Sequence, residues 1–74
     1  MVREHKLKRE LATFIAEKIK SRGWTQEYIA LEVELSQSTI SKIVNMKLNL
    51  INISTLTDIV SFLGYDIKIK LVKI

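Results

Sequence analysis

The chain has 74 residues, enough for one domain only, and a fold of that size hides only about 60% of the surface its unfolded chain exposes, so it needs reinforcement. With no cysteine and a single histidine, disulfides and clusters of thiolate or imidazole metal ligands are excluded, which leaves self-association as the reinforcement to look for. A formal charge of +4 and a pI near 9.6 favour polyanionic partners.

Residues 4–22 open the chain with Leu7, Leu11, Ile15 and Ile19 recurring every four positions, widened by Ala12, Phe14 and Ala16. That spacing predicts an amphipathic helix with one core face. Gly23 stands where a left-handed residue would end it. Arg3, Lys6, Lys8 and Arg9 crowd its start. They read as a solvated face or as a basic arm for phosphates or an acidic partner. The same stretch lacks the apolar run of a secretion signal, and nowhere does an apolar run approach the roughly 18 residues of a membrane span. The expected location is therefore the cytoplasm, with no membrane partner.

Thr25 is placed to cap a short helix over residues 26–33 with Ile29, Ala30 and Val33 inward, and Ser36 to cap another over 37–45 with Ile40, Ile43 and Val44 inward. Residues 47–53 have no clean period and read as a loop with a helical turn. Ser54 is expected to cap a last helix over 55–63 that buries Leu56, Ile59, Val60 and Leu63 and stops at Gly64. The period then falls to two: Ile67, Ile69 and Leu71 alternate with Lys68, Lys70 and Val72, the pattern of a half-buried strand. A lone strand leaves its backbone groups unpaired. Pairing with the same strand of a second copy is the economical remedy, with Tyr65, Ile67, Ile69 and Leu71 as its interface and the lysines blocking further growth. The domain would then run over 1–64 and its dimerisation strand over 65–74.

Two short helices joined by a tight turn must share a core, and Ala30 is small enough to let them cross closely. Outward on the second helix lie Gln37, Ser38, Ser41, Lys42 and Asn45, none of them acidic. Gln26, Ala30, the run Ser36-Gln37-Ser38-Thr39-Ile40-Ser41 and Ile43 resemble the helix-turn-helix of Xre/Cro-type phage and bacterial repressors. The resemblance extends from about residue 10 to the pattern Ser54…Leu56…Ile59…Leu63-Gly64, and the tail is similar to that of small relatives that include HigA-type antitoxins. It implies an all-α, five-helix, lambda-repressor-like domain that binds double-stranded DNA as a homodimer, sequence-specifically, as a repressor of a near-palindromic operator.

On that resemblance the second helix enters the major groove. Gln37 would pair with adenine, Lys42 with guanine, Thr39 would offer its hydroxyl or methyl, and Ser38 and Ser41 would bond bases or phosphates. Thr25, Gln26, Asn45 and Lys47 would hold the backbone. The chain departs from the family at Glu34, where the turn often has glycine, and at Val44-Asn45-Met46-Lys47, where Glu-Asn-Gly-Lys is usual. These departures point to a reshaped turn and a lost helix stop. Trp24 reads as a core plug, and Met46 and Leu48 as core edge or dimer contact. An antitoxin that binds a toxin protein is the second reading; no cofactor is implied. His5 has no nucleophile-and-carboxylate set about it and no glycine loop cradles phosphate, so no catalytic residue is assigned.

Overall fold

The computed structural model of the chain describes residues 2–67, with side chains from His5 onward. Within that span lie four helices: α1 (Val2–Ser21), α2 (Gln26–Glu32), α3 (Gln37–Val44) and α4 (Ile53–Phe62). α1 packs against both α3 and α4, and α2 packs against α3. The four-residue rhythm of α1 buries Leu11, Ile15 and Ile19 together with Ala12, while Leu7 and Phe14 pack at the edge of the same cluster.

Ile15, Ile29, Ile40, Ile43, Leu56 and Ile59 are wholly buried, and among them every helix is represented. One apolar core therefore serves all four elements, and each such side chain contributes about 1.5–3 kcal/mol. α2 has seven residues and α3 eight, too short to persist in water without that shared core.

The N-termini of α2 and α3 follow the expected chemistry. Thr25 Oγ1 accepts from the Tyr28 amide at 3.0 Å, and Ser36 Oγ accepts from the Thr39 amide at 3.1 Å. α4 does not follow it: Asn52, not Ser54, is the cap residue, and its side chain makes no capping bond. Here packing sets the boundary. Ile51 just before the cap and Leu56 one turn inside are both buried in the core cluster, an arrangement that fixes the chain's entry angle two residues earlier than the serine.

All four helices end in one way. Gly23, Glu34, Met46 and Gly64 have φ of 68°, 58°, 60° and 91°. In each case the left-handed residue and its successor donate back into the last turn. The pairs are Gly23 to Lys20 and Trp24 to Ile19, Glu34 to Leu31 and Leu35 to Ala30, Met46 to Ile43 and Lys47 to Lys42, and Gly64 to Ser61 and Tyr65 to Val60. This double bond satisfies carbonyls that a helix end would otherwise orphan. Glu34 and Met46 thus adopt the glycine conformation themselves, so the expected reshaping of the turn and the lost stop are both corrected: the hydrogen bonds hold a side-chain-bearing residue in place at a steric cost.

Four helices, not five, lie among the described residues. The segment between α3 and α4 is pinned by buried Leu48 and Ile51 and closed by a single turn, Ile51 N to Leu48 O at 3.1 Å, which leaves no length for another helix. Of the expected strand, Tyr65, Asp66 and Ile67 have no regular structure, and Ile69 and Leu71 lie outside the described residues. Tyr65 turns onto its own chain, its ring edge-on to Phe14 at 4.9 Å, and Ile67 packs at the edge of the core. Beside them Lys18 Nζ lies 4.9 Å from the Tyr65 ring centre, and Arg22 donates to the Leu63 carbonyl at 2.8 Å. The end of α1 thereby clasps the end of α4, where a cation also complements the helix dipole. No helix among the described residues is long and apolar enough to cross a membrane.

Two predictions follow from these helix ends and the clasp. Glu34→Gly removes the left-handed strain, about 1–2 kcal/mol, less the backbone entropy glycine adds to the unfolded chain, about 0.5–1 kcal/mol. It should raise unfolding stability in urea by roughly 1 kcal/mol, and a loss of stability would contradict the assignment. Hydrogen bonding and charge from Lys18, aided by Arg22, hold the Tyr65 phenol below its ordinary value of 10.0. The stabilisation is present in full above that ordinary value and fades as pH falls through the lowered one. Lys18→Met in a Tyr28→Phe background should move the tyrosinate absorbance titration upward; an unmoved titration would count against the contact.

Candidate nucleic-acid interface

α3 exposes one side and buries the other because its apolar residues, Ile40 and Ile43, sit three apart. Gln37, Ser38, Lys42 and Asn45 are exposed, and Thr39 and Ser41 are half-buried. The polar ridge therefore runs the full length of the helix, from its capped start to its left-handed stop. It is backed by buried Ile29 and Ala30 of α2.

Several of these side chains are already engaged. The Ser36 and Thr39 hydroxyls are hydrogen-bonded at 2.8 Å, which ties the Thr39 side chain to the cap of the helix. Asn45 Nδ2 donates to the Ser41 carbonyl at 2.9 Å and to Ser41 Oγ at 3.3 Å. One face of the ridge is thus pre-ordered, with the Asn45 carbonyl oxygen outside that bond. Gln37, Ser38 and Lys42 stand exposed at the first turn and beyond.

The backbone-holding candidates fall in three places. Thr25 is exposed but its hydroxyl oxygen serves the cap of α2. Gln26 is half-buried and lines a groove with Glu17, Lys20, Trp24 and Val44, where α1 and the end of α3 come near it. Lys47 shares a recess with Lys42, Asn49 and Leu50 beyond the end of α3.

Asn49 and Leu50 were not singled out by the sequence pattern. Leu50 is 87% exposed, an apolar residue in the recess that Lys42 and Lys47 line. The available signal was its neighbour: Leu48 and Ile51 both fit the core, so the residues between them had to point out. Trp24 also differs from expectation: it is half-buried at the edge, 5.2 Å from Tyr28 and 6.0 Å from Phe62.

The charge distribution matches the geometry. From residue 35 to residue 57 the chain has no acidic side chain, while Lys42 and Lys47 are both exposed there. The polar groups that a phosphate approaching α3 and its following loop meets are cations, amides and hydroxyls, the groups that bond phosphate and base edges.

Comparison with known proteins agrees with this arrangement. A family model described as helix-turn-helix matches residues 15–69, about three quarters of the chain, from the middle of α1 through the end of α4 and beyond. No curated protein and no solved structure matches the chain.

Proposed function

The chain belongs to the Xre/Cro-type helix-turn-helix family and carries its DNA-binding domain, and from that premise we propose that it is a sequence-specific repressor acting as a homodimer on a near-palindromic operator. The observation that carries the reading is the exposed, acid-free ridge of α3, propped from behind by the buried residues of α2.

In this reading α3 lies in the major groove with its first turns at the base edges. Gln37, exposed at the first position of the helix, presents an amide that pairs bidentately with adenine. Lys42 donates to guanine O6 or N7. Thr39, its hydroxyl tied to Ser36, offers its methyl to a thymine methyl, and Ser38 and Ser41 bond to bases or to nearby phosphate oxygens. Thr25, Gln26, Asn45 and Lys47 hold the two flanking strands. Their contacts fix the register of α3 without reading sequence. The hydrogen bond between Asn45 and Ser41 reduces the entropy lost on docking, because part of the ridge is ordered beforehand.

Dimerisation is assigned to residues 65–74, with Tyr65, Ile67, Ile69 and Leu71 as its interface; Tyr65 and Ile67 would leave their places beside Phe14 and the core edge to take part in it. The alternating pattern supports a strand that needs a second strand, and a two-fold axis supplies one. Two copies then place their recognition helices about one helical turn of DNA apart.

Gln37→Ala should weaken binding to the selected operator by about 1–3 kcal/mol and leave binding to random duplex nearly unchanged. Equal losses on both would make Gln37 a positioning residue. Lys47→Ala should weaken all duplexes alike and flatten the slope of log affinity against log salt by about one unit; an intact slope would remove the phosphate contact. Deleting residues 66–74 should give a monomer with much weaker operator affinity. A truncated chain that still sediments as a dimer would refute the pairing.

A further inference from the structure

We propose that the outward face of α2 is a docking surface for a basic, apolar segment of a second protein. Helix α2 buries Ile29 and Ala30 on its inner side. On the opposite side it carries Tyr28 and Leu31, three residues apart and therefore neighbours on one stripe. Leu31 is 74% exposed and Tyr28 44%. Trp24 extends the stripe by touching the Tyr28 ring at 5.2 Å, and it joins α2 to α4 through Phe62 at 6.0 Å. Phe62 is itself 40% exposed. Four large apolar side chains thus meet on a face whose exposure adds nothing to the fold, since burying them would contribute stability and leaving them in water does not.

Along α2 the rim of this stripe is acidic, whereas at its Trp24 end the Arg22 guanidinium lies over the indole, 5.0 Å from the ring centre. At 100° per residue Glu27 and Glu32 fall on either side of Tyr28 and Leu31, and both are exposed, as is Glu34 in the following turn. Residues 27–34 hold three of the eight acidic side chains of a chain whose formal charge is +4. This is the reverse of the α3 ridge, and phosphates of a duplex are repelled from it. The same rim disfavours an anionic membrane surface. Tyr28 and Leu31, lying between carboxylates, are complementary to a segment with apolar residues at its centre and Lys or Arg at its margins. Charge then sets the partner and the apolar contact supplies the affinity. Because α3 packs on the inner side of α2, this face and the base-reading ridge are separate surfaces that two partners can occupy at once.

Trp24 is the chain's single tryptophan and lies within the stripe, so its fluorescence reports occupancy. The intact chain is titrated with a synthetic amphipathic helical peptide of leucine and lysine, and with its counterpart in which every lysine is glutamate. The proposal expects a saturable change with the lysine peptide and none with the glutamate peptide. Glu27→Lys combined with Glu32→Lys should weaken the lysine peptide roughly tenfold or more, and Leu31→Ser should weaken it several-fold. All three positions are exposed, so far-UV circular dichroism should be unchanged. Equal response to both peptides, or undiminished binding by the charge-reversed variant, would overturn the proposal. So would a fluorescence change that follows the chain's own concentration in step with its sedimentation as a dimer, since the face would then belong to a second copy.

Discussion

Neither α2 nor α3 is long enough to hold its shape alone, and the close crossing of the two is the constraint on which the rest of the molecule depends. Ala30 lets the backbones approach, and Ile29, Ile40 and Ile43 fill the space between them without residual exposure. Leucine at position 30 would force the pair apart and overpack the core. α1 and α4 complete that core from outside. Arg22 and Lys18 then tie the two outer helices together at their ends, where Leu63 O and the Tyr65 ring are within reach.

The helix ends convert this packing into a rigid display. Each helix stops through the same pair of backbone bonds around a left-handed residue, so the chain leaves every helix in a defined direction. For α2 and α3 those residues are Glu34 and Met46, which bear strain that glycine would not. The strain falls on both sides of α3, and packing of Leu35 and Leu48 against the core holds it there. The consequence is that the backbone of α3, and the Thr39, Ser41 and Asn45 side chains bonded on it, are ordered before any duplex arrives.

Much of this was legible in the sequence. The rhythm of Leu11, Ile15 and Ile19 marked α1, and Thr25 and Ser36 marked the starts of α2 and α3, because a short side-chain oxygen before an apolar repeat has one dominant use. Gly23 and Gly64 marked two stops. What could not be read has a physical reason in each case. Glu34 and Met46 have no intrinsic preference for positive φ; the tertiary contacts around them impose it. Ser54 looked like a cap, but burial of Ile51 and Leu56 drew the start of α4 to Asn52. The ridge of α3 followed from spacing alone. The groove that holds Gln26 and the aromatic stripe of Trp24, Tyr28 and Phe62 required knowing which helices meet.

The central claim is that α3, seated on α2, is the surface that meets a duplex, and amide chemical shifts followed by NMR during titration with a selected operator test it most directly. The account predicts that the largest changes map to residues 37–42, to Asn45 and Lys47, and to Thr25 and Gln26, with Leu31 and the second half of α4 unmoved. Changes concentrated on the basic first turns of α1, with α3 silent, would contradict it.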